Sequence, residues 1–387
     1  MKIENLTFQV TAAAGIESLT ARELRDLNFQ NVRIDDRSRI FFDGNFTDMM
    51  RANLWLRTAD RVKIVMGEFQ AKTFETLFDQ VYTLNWEDFI PLGAKFPVAK
   101  AKSVKSQLHN EPSVQSITKK AIVKKLQEVY HRPENQALQE TGPEYRIEIA
   151  LNKDFATLTI DTTGDSLFKR GYRQEHGGAP LKENFAAALV LMTNWLVNPT
   201  RPFVDITCGS GTIVLEAAMA ALHMAPGLHR HFAFENWTQS DLQLLSELKI
   251  EAQGLAKRDL SLDITGIDND PQMIAISRRN TLALGLENVV KYKEMRLQDF
   301  TSAQLDGVIV SNPPYGERLL EQEEAQALYQ EMGEALRPLK TWSKYILTSN
   351  ESFEALYGAK ANKKRKLYNG TLRTDYYQFF GERPKKD

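Results

Sequence analysis

Residues 202–222 read PFVDITCGSGTIVLEAAMAAL. PFVDIT is a short apolar, β-branched run of the kind that forms a buried strand, and TIVLEAAMAAL has the length and composition of a buried helix. Gly209 and Gly211 stand between them. Glycines there let the backbone turn tightly and approach a ligand closely, and the helix N-terminus offers free N–H groups. The same alternation continues downstream. DITGIDND, VKYKEM, LDGVIVSN and TWSKYILTSN read as strands, while PQMIAISRRNTLALG and AQALYQEMGEALRPL read as helices. KENFAAALVLMTNWL adds a helix upstream. Strands alternating with helices predict an α/β fold, a doubly wound and mostly parallel sheet. KRKLYNGTLRTDYYQFF, with Asn369-Gly370 at its centre, predicts an antiparallel C-terminal hairpin on that sheet.

Upstream of residue 164 the pattern is α+β, with shorter elements. LTFQVTAA, a helix over Gly15–Phe29, a strand pair turning near Asp35–Ser38, a second helix and VKIVMGEF predict a small sheet with helices on one side. A second unit starts near Phe69 and closes on the hairpin RIEIALN/ATLTIDTT. The expected division is 1–68, 69–163 and 164–387. Composition fits a globular chain: 42% hydrophobic, 26% charged, formal net charge -1 over 387 residues. The single cysteine, Cys208, excludes a disulfide framework and a multi-cysteine metal site, so no metal is expected. No run approaches the ~18 apolar residues of a membrane span. No export signal is read in MKIENLTFQV, and the expected location is cytoplasmic.

The glycine turn fails three familiar patterns. A dinucleotide loop G-x-G-x-x-G would need glycine where Val214 stands, which speaks against a nicotinamide oxidoreductase. A phosphate loop would need a following Gly-Lys-Ser/Thr, and a nucleophile elbow would need G-x-S-x-G. What remains is D-x-x-x-G-x-G, the loop that holds S-adenosylmethionine. The candidate cofactor contacts are Asp205, Thr207, Gly209, Ser210, Gly211 and Thr212. Asp268, at the tip of the next strand, can accept both hydroxyls of a ribose. It lies farther along than the usual ~20 residues, so His223–Asp263 contains an insertion. Asp299, after the third strand, could accept from an adenine amino group.

The fourth strand runs into Asn312-Pro313-Pro314-Tyr315. Two prolines cannot extend a central strand, so the chain must turn at the sheet's carboxyl edge, where open α/β sheets bind ligands. An exocyclic amine on a nucleobase is a poor nucleophile because its lone pair is delocalised into the ring. The Asn312 side-chain oxygen and the Pro313 carbonyl can accept its two hydrogens and hold the lone pair toward a methyl donor. Tyr315 offers a face for the base, a stacking contact worth ~1–3 kcal/mol. None of the six histidines lies in these motifs, and no strong base is needed. Asn312, Pro313, Pro314 and Tyr315 are the candidate catalytic residues.

From Asp205 to Tyr315 the chain resembles a class I S-adenosylmethionine-dependent methyltransferase acting on amino groups. RGYRQEHGGAPLKENFAAAL, HMAPGLHRHFAFENW and NPPYGERL resemble the bacterial large-subunit ribosomal RNA guanine-N2 methyltransferase family. The first two units are similar to that family's ferredoxin-like region (1–68) and its RNA-binding THUMP domain (69–163). The resemblance implies methylation of a guanine N2 amine, in rRNA more than in tRNA. It also implies that Pro180-Leu181-Lys182-Glu183-Asn184 helps close over the cofactor, which adds Lys182, Glu183 and Asn184 to the candidate cofactor residues. Adenine-N6 methylation, a tRNA substrate and a non-catalytic RNA-binding assembly factor are the alternatives.

Charge is uneven along the chain. From Lys95 to Arg132 there are nine basic residues against two acidic ones, and the stretch from Lys360 to Arg373 has six basic residues and no acidic one. In a chain of net charge -1 this implies a polarised surface suited to RNA phosphates. Lys100, Lys102, Lys105, Lys120, Lys124, Lys363, Lys364 and Arg365 are the candidate RNA contacts. Trp195, Trp237 and Trp342 read as core or interface aromatics.

Overall fold

The computed structural model describes residues 5–173, 181–315 and 319–382. The first half contains strands β1 (Leu6–Ala12), β2 (Gln30–Ile34), β3 (Ile40–Gly44), β4 (Ala59–Gln70), β5 (Val98–Val104), β6 (Ile147–Asn152) and β7 (Phe155–Asp161). Helices α1 (Glu17–Asp26), α2 (Phe46–Trp55), α3 (Phe74–Tyr82) and α4 (Glu111–Val129) connect them. All seven strands join one sheet, in the order β2-β3-β1-β4-β7-β6-β5. The small separate sheet expected from the sequence is therefore half of a larger one. The reason is the length of β4. Its first half pairs antiparallel with β1, Ile64 opposite Phe8, and its second half pairs antiparallel with β7, Gln70 opposite Phe155. The strand thus runs across the expected 68/69 boundary.

The second half begins with α5 (Glu183–Leu191) and builds its sheet from β8 (Phe203–Asp205), β9 (Ile264–Asp268), β10 (Val290–Glu294), β11 (Val308–Ser311), β12 (Ser343–Thr348), β13 (Lys363–Asn369) and β14 (Leu372–Phe379). Between them lie α6 (Thr212–Ala221), α7 (Leu242–Gly254), α8 (Pro271–Ala283), α9 (Leu319–Leu336) and α10 (Phe353–Tyr357). The strand order is β10-β9-β8-β11-β12-β14-β13. The first five strands in that order are parallel to their neighbours, and the hairpin β13/β14 is antiparallel, with β14 against β12. The chain winds outward from β8 to β10, then returns to place β11 on the other side of β8. That reversal opens a crevice between the carboxyl ends of β8 and β11, where ligands of such sheets bind.

The insertion after α6 fastens the halves together. Phe232, Phe234, Trp237 and Leu245 are buried in the same core as Phe8, Met50 and Ile160 of the first half. The Trp237 ring stacks on Tyr145 at 4.7 Å, and its indole N–H donates to the Glu144 carbonyl at 3.0 Å. Ala233 and Phe234 N–H groups donate to the Thr163 and Thr162 carbonyls at 3.1 Å each. In return, Ile16 and Leu19 beside and within α1 join the core of the second half. Trp195 and Trp342 are also buried.

Candidate active site

Asp205 ends β8 inside the protein, 1% exposed. One carboxylate oxygen accepts from the Thr207 N–H at 3.2 Å and from the Ser311 hydroxyl, at the end of β11, at 3.0 Å. Burial pushes its pKa up to about 7, the two hydrogen bonds oppose that rise, and the nearby charge of Asp268 adds to it. Thr207 and Ser311 hydroxyls lie 2.6 Å apart, so the ends of β8 and β11 are tied through three polar groups. On the other side, the Gly209 N–H donates to one oxygen of Asp268 at 2.8 Å, and the Asp270 N–H donates to the other at 3.0 Å.

The two glycines do different things. Gly211 precedes α6 with φ 84°, and a Cβ there would stand 2.6 Å from the Tyr292 hydroxyl and 3.0 Å from the Ser277 Cβ. Neither that conformation nor that spacing tolerates a side chain. Gly209, at φ 50°, would carry its Cβ into space with no described protein atom within 4 Å. That space is a cleft of about 670 Å³ walled by Thr207, Gly209, Asp268, Met273, Asn312 and Pro314, among others. A smaller pocket of about 130 Å³ adjoins it through Thr207, Gly209, Met273 and Asn312 and reaches Leu181, Asp205, Ser210 and Thr212. The donor set suits an adenosine cofactor with a charged tail: a carboxylate at a strand tip, a glycine-lined approach and a second, buried carboxylate.

The Asn-Pro-Pro-Tyr turn forms the facing wall. Asn312 lines both cavities, Pro313 is buried and Pro314 is exposed at the cleft. The Tyr315 hydroxyl donates to the Asn312 side-chain oxygen, and its ring packs on the adjoining core. The Tyr329 hydroxyl of α9 donates to the Pro314 carbonyl at 2.9 Å and lies 2.8 Å from the Thr348 hydroxyl. Sequence reading passed over Tyr329. The available signal was a tyrosine on the apolar face of a helix, whose buried hydroxyl needs a partner.

Other expected residues lie elsewhere. Asp299 is exposed, and Met295, Arg296, Leu297 and Gln298 line the cleft in its place among the described residues. Leu181 faces the small pocket, but Lys182 and Glu183 line a separate cavity. Asn184 is buried toward the first half, donating to the Asp60 carboxylate at 3.0 Å and the Ala59 carbonyl at 3.3 Å. Pro180 and Gly316 lie outside the described residues. The link from this segment to the glycine loop is Arg173, which pairs with Glu183 at 3.0 Å and donates to the Thr212 hydroxyl at 2.7 Å.

The basic candidates divide in the same way. Lys100 and Lys102 point outward from the edge strand β5, Lys105 follows it, and Lys120 and Lys124 are exposed on α4. Lys124 lies 4.0 Å from Glu134. On β13, Lys363 is exposed, but Lys364 is ion-paired with Asp375 at 3.3 Å, and Arg365 donates to the Gly15 carbonyl at 2.9 Å, tying the sheet edge to the first half. Among the described residues there is no cluster able to hold a metal ion and no helix long and apolar enough to cross a membrane.

Three family models match in order along the chain: the RlmL ferredoxin-like domain over residues 7–63, the THUMP domain over 71–161, and the RMKL-like methyltransferase domain over 170–378. The chain is 47% identical to "Putative RNA methyltransferase YpsC" of Bacillus subtilis over 99% of its own length and 98% of the relative's. It is 35% identical to the ribosomal RNA large subunit methyltransferase K/L of Marinobacter nauticus, covering 94% of this chain and 51% of that protein. It thus spans about half the length of the K/L relatives. Among solved structures, SMU.472 complexed with SAH is 56% identical, with a TM-score of 0.93 over 100% of both chains. A Listeria monocytogenes structure described as a "predicted N6-adenine-specific DNA methylase" is 46% identical, with a TM-score of 0.92 over 98% of this chain and 97% of that one.

Proposed function

Since the chain belongs to the family of the RMKL-like methyltransferase domain, we propose that it transfers a methyl group from S-adenosylmethionine to the N2 amine of a guanine in large-subunit ribosomal RNA. One observation carries the reading: Asn312 lines both the large cleft and the small pocket that reaches Asp205 and the glycine loop. The acceptor for an amine and the residues for the donor therefore share one crevice. The THUMP match and the rRNA methyltransferase names of relatives support RNA as the substrate.

The cofactor supplies an electrophilic methyl on a sulfonium. Asp268 and the Gly209 backbone would hold its ribose end, and the buried Asp205 region its charged tail. Asn312 accepts one amine hydrogen once the Tyr315 hydroxyl gives up the same oxygen, and the Pro313 carbonyl accepts the other. Tyr315 then presents its ring to the base. Fixing the amine in line supplies the orientation on which such transfers depend. The amine becomes acidic only after attack, so acceptors of ordinary basicity suffice. Tyr329, through the Pro314 carbonyl, holds the turn in place.

A second reading, adenine N6, is favoured by the name of the Listeria structure. Mass mapping of nucleosides in rRNA and tRNA from cells with and without this gene separates the two. Loss of one N2-methylguanosine from large-subunit rRNA is the expected result; loss of N6-methyladenosine, or of a tRNA modification, would replace the reading.

A further inference from the structure

A cavity of about 670 Å³ lies beyond the wall of the active cleft and belongs to neither the glycine loop nor the Asn-Pro-Pro-Tyr turn. Leu181 faces the small pocket of the active site, while the next two residues, Lys182 and Glu183, face this cavity. Arg173 lines it too and reaches through to Thr212. Consecutive residues of one segment thus face the two spaces.

The cavity is built rather than incidental. Its walls are the segment leaving β7 and the insertion after α6, locked to each other by Arg230. That guanidinium is 8% exposed and donates to the carbonyls of Ser166 at 2.7 Å and Lys169 at 3.0 Å. Burial first, then the neighbouring Arg170, lowers its pKa to about 10. Gly171, at φ 98°, brings its backbone so close that a Cβ would stand 2.1 Å from the His229 carbonyl. Inside these walls Phe168 is half-buried, with the Lys182 ammonium 5.0 Å from its ring centre. Lys169, Lys182, His229 and His231 are exposed around it. The Lys169–Asp165 contact at 3.2 Å is a surface ion pair, weak enough to yield to a phosphate.

An aromatic ring set among cations is the chemistry that holds single-stranded nucleic acid, the ring for a base and the cations for its phosphates. We propose that this cavity binds a nucleotide neighbouring the methylated one, its base stacked on Phe168 and its phosphate met by Lys169, Lys182 and His229. The site rests on the RNA reading above. It lies where the two halves join, between the segment leaving β7 and the insertion after α6.

The test is single-turnover methylation by the full chain, using protein-free large-subunit rRNA from cells lacking this gene and saturating S-adenosylmethionine. Phe168→Ala should raise the half-saturating RNA concentration about tenfold, the worth of one stacked base. The rate at saturation and the affinity for SAH should stay within about twofold, and Phe168→Tyr should behave as the unaltered chain. Lys169→Glu, at an exposed position that leaves folding intact, should also weaken RNA and lower the salt slope by about one phosphate contact. Unchanged RNA dependence in both variants, while the unaltered chain methylates, overturns this proposal alone. Absence of methylation by the unaltered chain overturns the RNA reading and this proposal with it.

Discussion

Both halves bury polar side chains, but they treat them differently. At the join behind β4, the Asn53 amide donates to the Met49 carbonyl at 3.0 Å and to the Thr162 hydroxyl at 2.9 Å, while its oxygen accepts from Thr163 at 2.7 Å. Thr162 donates onward to the Val62 carbonyl at 2.7 Å. Every group has its partner, as a buried network must if it is to stabilise a fold. At the end of β8, Asp205 is equally buried, yet it accepts from one backbone amide and one hydroxyl, and its pKa rises to about 7. The first arrangement is closed on itself. The second keeps acceptor capacity facing a pocket, which is the mark of a group waiting for a ligand.

Asn312→Ala breaks the comparison most visibly. Removing the amine's acceptor should cut methylation about 10²–10³-fold, the scale of losing one preorganised polar contact in a reaction centre, with the melting temperature unchanged. Its counterpart, Asn53→Ala, should do the reverse. It should lower stability by about 1–3 kcal/mol, the cost of orphaning buried partners, and leave the per-molecule rate of the folded enzyme intact; denaturant melts and rates normalised to folded protein read the two apart.

Asp205→Asn sharpens the contrast through pH. Burial lifts the folded pKa from an ordinary 3.8 to about 7, so the folded chain keeps a proton that the unfolded chain has released. That contribution to stability is greatest at low pH and declines as pH rises toward 7. Melting temperatures followed over that window should slope down for the natural chain relative to Asp205→Asn. Tyr329→Phe should lower the saturated rate on the order of fivefold, one ordinary hydrogen bond's worth, with SAH affinity unchanged in calorimetry. The smallest effect belongs to Lys102→Ala, which should reduce the salt dependence of RNA binding by about one phosphate contact and leave turnover of bound RNA untouched.

What could be read from the sequence was whatever the chain carries contiguously. The run from Val204 to Thr212 and the Asn-Pro-Pro-Tyr element each fit within a single turn, and the structure brings them to one cleft. The alternation of strands and helices after residue 164 predicts the doubly wound, mostly parallel sheet for the same reason. Contacts between distant segments left no local trace. Asn184 turns away to Asp60, 124 residues earlier; Arg365 serves Gly15, 350 residues earlier; and the insertion after α6, whose local sequence names none of its partners, fastens the two halves. Asp299, expected near an adenine amino group, ends the 3-10 turn Leu297–Asp299 and is exposed, while its neighbours Met295 to Gln298 line the cleft. β4 joined two expected units because strand length sets how many partners a strand can have, and its polar alternation hid where it ends.

The most direct measurement is a crystal structure of this chain grown with SAH. The account predicts the ligand in the cleft between β8 and β11, its ribose on Asp268 and its sulfur facing Asn312. A ligand bound elsewhere, with no contact to Asp268 and its sulfur turned away from Asn312, would contradict it.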